Sequence, residues 1–111
     1  MAPKDHPQTP DGRYFLSRGK LWRMTDPALP DDLRRAAIKR MMRARLEVRR
    51  AEDAAAQQEA RARVDAAKVA LGERGPVWWD DGAPDETGAA PEASSYAAWW
   101  AGLDAGTKTK G

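Results

Sequence analysis

A mainly α fold is predicted for this 111-residue chain. It takes the form of an antiparallel helical hairpin, preceded by a short β-hairpin and followed by a Trp-rich strap that ends in a short helix. Three observations carry the prediction. Apolar residues recur at Leu33, Ala37, Met41, Ala44 and Val48, in steps of 4, 4, 3 and 4. A second seam, Ala56, Ala60, Val64, Ala67 and Leu71, repeats that period in an alanine-rich stretch. Ahead of both, β-favouring residues flank an Arg-Gly pair. Helical spacing marks one apolar face of a helix, and small residues on the second face let two helices approach closely.

Taken in order, residues 1–11 hold three prolines and little to bury, so they are expected to be disordered. Residues 13–24 read as a β-hairpin. Tyr14, Phe15 and Leu16 pair with Leu21 and Trp22 around Arg18-Gly19, where Gly19 takes positive φ. A two-residue loop sets Phe15 opposite Trp22 and Leu16 opposite Leu21. Both faces then carry apolar groups, and an isolated hairpin is marginal in water, so this one must pack on something.

A connector with Pro27 and Pro30 leads into a helix over 31–51, with Asp31 and Asp32 favourable in its first turn. Ile38, Met42 and Leu46 widen its stripe, and Arg35, Lys39, Arg43, Arg49 and Arg50 occupy the other side. Asp53 caps a second helix, 54–71, in which eight residues are alanine and after which Gly72 takes the C′ position. One continuous helix of about 40 residues, about 60 Å long, is the alternative to the hairpin.

Residues 73–93 are punctuated by Gly and Pro and form an irregular strap. Ser94 or Ser95 then caps a short helix over 95–103, with Tyr96, Trp99, Trp100 and Leu103 on one face. Residues 105–111 are expected to be a disordered tail, which makes 12–104 a single compact domain. Aliphatic residues are scarce and there is one phenylalanine, so the five tryptophans are the obvious core material. Each ring buries about 150–250 Å², worth up to roughly 4–6 kcal/mol. Trp78, Trp79, Tyr96, Trp99 and Trp100 are therefore structural anchors. The strap's tryptophans are expected to lie across the apolar groove of the helical hairpin.

The combination of "RYFLSRGKLWRMTDPALP", an Ala/Arg-rich helical middle, "ERGPVWWDDGAPD" and "YAAWW" resembles a group of small uncharacterised bacterial proteins. The resemblance spans residues 13–103, and its most specific part is the GPVWWDDGAPD box. It implies a single compact domain with an aromatic N-terminal hairpin. It transfers no activity and no catalytic residue.

The chemistry-bearing residues are few. There is no cysteine, so no disulfide framework and no thiolate metal site. The single histidine, His6, lies in the loose N-terminus without a nucleophile or a second histidine beside it. No phosphate-binding loop or dinucleotide fingerprint occurs. Asp80, Asp81, Asp85 and Glu86 form the one carboxylate cluster, and they lack the spacing of a calcium loop. They are expected to cap backbone amides or to pair with arginines of the hairpin. No catalytic residue, cofactor or metal is assigned, and enzyme activity is not expected.

Charge is unevenly spread: +7 over residues 1–50, −1 over 51–75 and −4 over 76–111. No run approaches the ~20 apolar residues of a membrane span, and the N-terminus lacks an apolar signal-like region. A cytoplasmic location without a membrane partner is expected. The function predicted is a small non-enzymatic interaction module that binds a protein partner. The alternative is a nucleic-acid-binding protein using the basic helix 34–50 and the aromatic, basic hairpin 13–23. Candidate binding residues are Arg13, Arg18, Lys20, Trp22, Arg23, Arg35, Lys39 and Arg43.

Overall fold

A computed structural model describes residues 6–109. The order of elements is β1 (Tyr14–Ser17), β2 (Lys20–Arg23), α1 (Asp31–Arg50), α2 (Ala54–Ala70), a 3₁₀ turn (Pro91–Ala93), α3 (Ala97–Ala101) and α4 (Ala105–Thr109). The chain forms two compact units. One comprises the segments up to Thr25 and from Trp79 onward, and the other is Asp26–Trp78.

In the first unit, β1 and β2 pair antiparallel with Phe15 opposite Trp22 and Leu16 opposite Leu21. Arg18 and Gly19 both have positive φ, 52° and 75°, the twist that a two-residue hairpin loop requires. Alternation sends Tyr14, Leu16, Leu21 and Arg23 inward, where all four are buried, and leaves Phe15 and Trp22 on the outer face. Both edges of this ribbon are extended. The Leu16 amide donates to the Pro7 carbonyl, and Gln8 bridges Phe15. On the other side the Leu21 amide donates to Ala89, while its carbonyl accepts from Gly88. These edge pairs give a hairpin of two four-residue strands the neighbours it needs.

Residues 6–11 differ from the disorder expected of 1–11: Thr9 is buried, and its hydroxyl accepts from the Tyr14 amide. The expected disorder at 1–5 and 110–111 lies outside the described residues. In the expected disordered tail 105–111, residues 105–109 form α4, whose first turn is held by Asp104 accepting from the Thr107 amide. The short helix predicted over 95–103 is only Ala97–Ala101. Tyr96 is its N-cap and Gly102 ends it, so Leu103 falls beyond it. Neither serine caps it. Ser94 Oγ accepts from the Tyr96 amide inside the preceding turn, and Ser95 bonds to Glu86.

The second unit is the helical hairpin, with a break at residues 51–53 rather than one continuous helix. Asp53 Oδ1 accepts from the Ala56 amide at 2.7 Å and starts α2. Its end is closed by Gly72 at φ 80°. The Gly72 amide donates to Val69 and the Glu73 amide to Lys68, the paired bonds of a left-handed C-cap. Ala37, Met41, Ala67 and Leu71 form the buried seam, with Leu29, Ile38 and Val64 against it. The two ends of the unit meet: the Asp26 amide donates to the Leu71 carbonyl at 2.9 Å. A Cβ on Gly72 would sit 3.0 Å from that of Asp26 and 3.1 Å from Trp78, so a side chain here must push both aside and also take a strained φ of 80°.

Trp78 and Trp79 thus belong to different units. Trp79 lies in the first unit, among residues of the hairpin and the strap. Its ring meets Tyr14 edge-on at 5.6 Å, the Arg13 guanidinium lies over it at 4.8 Å, and its Nε1–H donates to Ala83. The physical reason is the inward Tyr14, which offers both a large ring and a fixed hydroxyl. That hydroxyl accepts from the Glu86 amide at 2.8 Å, tying the strap to β1.

Candidate functional site

The carboxylate cluster is largely occupied by the fold. Asp81 pairs with Arg13 and accepts from the Ala83 amide. Asp85 accepts from the amide and hydroxyl of Thr87, and Glu86 accepts from the amide and hydroxyl of Ser95. His6 Nδ1 lies 2.7 Å from the Leu16 carbonyl, with its ring edge-on to Phe15. Among the described residues no three His, Cys, Asp or Glu side chains converge as a metal site.

These polar ties titrate. Burial pushes Asp11 up, but donation from Tyr96 (2.6 Å) and Thr9 (2.8 Å), the Arg13 amide and the Arg13 charge outweigh it, leaving the carboxyl below its ordinary 3.8. Asp81 is lowered by the Ala83 amide and by Arg13. Asp85 is lowered by Thr87 and Arg23 against the opposing effect of burial. Burial raises the phenols of Tyr96 and Tyr14, and for Tyr96 the Asp11 carboxylate adds to it. Lowered carboxyls stabilise the fold above pH 3.8 and lose that contribution as pH falls through their folded values. Raised phenols stabilise it below pH 10.0 and lose that contribution as pH rises. Urea midpoints are therefore expected to be flat from about pH 5 to pH 9 and to fall on both sides, with Tyr96→Phe blunting the alkaline fall. An alkaline limb unchanged by Tyr96→Phe would remove this tyrosine from the account.

Of the residues singled out on the hairpin, Arg13 and Arg23 are consumed internally. Arg13 serves Asp81 and Trp79. Arg23 is 3% exposed, and its Nε donates to Thr87 at 3.0 Å. Arg18 and Lys20 are exposed at the turn, beside Trp22, which is 39% exposed and donates from Nε1 to Ser17. Tyr96, Trp99 and Trp100 are half-buried, with Lys108 Nζ 4.8 Å over the Trp100 ring.

The helical unit carries the basic stretch of the sequence. Sequence 34–50 carries eight Lys or Arg and one acid. Arg34 pairs with Asp31 on the first turn, and Glu47 pairs with Arg63 of α2. Among the described residues no ion pair reaches Arg35, Lys39, Arg40, Arg43, Arg45, Arg49 or Arg50. At about 3.6 residues per turn, the buried Ala37, Met41 and Ala44 divide α1 into two flanks.

On one flank lie Ile38, Met42, Arg45, Leu46 and Arg49. Met42 is 57% and Leu46 37% exposed; at about 100° per residue both stand well away from the buried Ala37, Met41 and Ala44. An open groove of about 520 Å³ runs there, lined by Met42, Arg45, Val48 and Arg49. Lys68 is held below its ordinary range by burial and by the nearby charges of Arg74 and Arg45, which Glu73 and Asp65 only partly offset. On the other flank, Arg40, Arg43 and Glu47 face Arg63, Ala66 and Ala67 of α2 across a second groove. Arg35, Lys39 and Arg43 stand exposed on α1, as the sequence suggests. Met42, Leu46, Arg45, Arg49, Arg40 and Arg63 were not among its candidate binding residues. The signal for Met42 and Leu46 is an apolar stripe wider than an alanine seam can cover.

No helix among the described residues is long and apolar enough to cross a membrane. No protein-family model matches the chain, and no curated protein or solved structure is significantly similar to it.

Proposed function

We propose that this chain is a non-enzymatic interaction module that binds an acidic, amphipathic segment of another protein along the Met42 flank of α1. The observation that carries this reading is an exposed apolar row set among cations that lack carboxylate partners among the described residues. Met42 and Val48 supply apolar contact in the groove and the exposed Leu46 lies one turn along from Met42, while Arg45 and Arg49 line the groove without an acid in it. An amphipathic helix lays its apolar side into such a groove, and its acids meet the rim. Phosphates alone leave Met42 and Leu46 without a role.

The reading is tested by quantitative co-purification from a cell lysate with the full chain, Met42→Asp and Arg45→Glu, each checked for native helicity. Proteins enriched by the parent chain are expected to drop about tenfold with either substitution, a loss of about 1.4 kcal/mol. Equal enrichment by all three chains would sink the proposal.

A further inference from the structure

On the opposite flank, the groove bounded by Arg40, Arg43, Glu47 and Arg63 has a volume of about 450 Å³. A second depression of about 210 Å³ continues it and shares Glu47 and Arg63, with Arg50 and Glu59 on its walls. Together they make one trough along the seam between α1 and α2. Its floor is alanine, from Ala66 and Ala67 to Ala51 and Ala56, so nothing bulky blocks close approach. Arg63 is engaged by Glu47, and Arg40, Arg43 and Arg50 have no carboxylate partner among the described residues. Four arginines against two acids leave the trough positive.

The spacing and the choice of side chain narrow the ligand. Arg40 to Arg50 spans about 15 Å at about 1.5 Å per residue. Each strand of a duplex presents one phosphate per about 3.4 Å of the duplex axis, so about four lie within that axial length. Arginine stays charged and offers a planar fork that suits phosphate oxygens. No aromatic residue lines the trough, so it has nothing on which to stack unpaired bases. Contacts of this kind position a backbone without reading its sequence.

We propose that the α1–α2 trough binds the phosphate backbone of duplex nucleic acid, independently of sequence, through Arg40, Arg43, Arg50 and Arg63. This site lies on the flank away from Met42 and does not rest on the protein-binding reading.

The test is fluorescence anisotropy of a labelled 20-base-pair duplex (about two helical turns) with the full chain, between 50 and 200 mM salt. With Arg63 held by Glu47, three phosphate contacts give a slope of log K against log salt of about −2.7, a loss of about 40-fold across that range. Arg40→Ala and Arg43→Ala are each expected to reduce the slope by about 0.9, while Arg40→Lys retains it. Glu47→Gln frees Arg63 and tightens binding several-fold at low salt. Arg45→Ala, on the other flank, leaves the slope unchanged. Absence of binding at 50 mM salt overturns the proposal. So does an equal loss of slope in Arg43→Ala and Arg45→Ala, which would mark diffuse attraction to the whole helix. Circular dichroism of each variant separates these outcomes from loss of the fold.

Discussion

Replacing Trp79 by alanine is expected to lower the unfolding free energy by about 3–5 kcal/mol. The ring is 9% exposed and joins three kinds of partner: the edge of Tyr14, the Arg13 guanidinium and the Ala83 carbonyl. Alanine removes the ring's buried area and its hydrogen bond together, and it leaves the inward face of Tyr14 against a cavity. Domains of this size are stable by about 5–15 kcal/mol in all, so the first unit would stand near its limit. Trp22→Ala supplies the contrast within the same unit. That ring is 39% exposed and its Nε1–H bonds within its own hairpin, so its loss is expected to cost about 1 kcal/mol or less. Urea unfolding followed by circular dichroism measures both. A cost for Trp79→Ala below about 1 kcal/mol would release this tryptophan from the core and make it a binding residue.

Leu71→Ala is expected to cost about 2–5 kcal/mol in the helical unit. Leu71 is fully buried, and its neighbours in the seam are Ala37, Met41 and Ala67. With alanines on both helices, few side chains are long enough to fill the space a truncation leaves, so collapse is limited. The backbone bonds of Leu71, from its amide to Ala67 and from Asp26 to its carbonyl, survive the change, so the loss reports on packing. The opposite substitution, Ala67→Leu, forces extra volume between helices in close contact and is expected to cost about 1–3 kcal/mol. Thermal unfolding monitored by helicity distinguishes the two from a neutral surface. Parent-like transitions for both would contradict the seam.

The helical hairpin was legible because its signals are local. The 4-4-3-4 spacing from Leu33, the Asp53 cap and Gly72 at the C′ position each act within a turn or two of helix. Arg18-Gly19 likewise names its own loop. What escaped depends on residues far apart. Nothing about Gly88 and Ala89 marks them as partners of Leu21, and Pro7 and Gln8 sit in a stretch that reads as disordered, because an edge pair of one or two residues has no period. Arg13 and Arg23 look like surface cations until Asp81 and Thr87 are brought to them. On α1 the count of arginines was plain. Which of them share a groove depends on where α2 lies, and Arg63 joins the site only through that register.

The close of the helical unit on itself also bears on the order of folding. The bond from the Glu86 amide to Tyr14 joins residues 72 apart in the chain, and that from Tyr96 to Asp11 joins residues 85 apart. Such distant closures are entropically costly and slow. Once α1 and α2 have paired and Asp26 is bonded to Leu71, the path from Tyr14 to Glu86 shortens to roughly 27 residues, which saves about 0.9 kcal/mol of closure entropy. The helices then act as a clasp on the chain that must meet around Tyr14. Rates should record this: a substitution that weakens the α1–α2 seam would slow the burial of Trp79, a residue of the other unit.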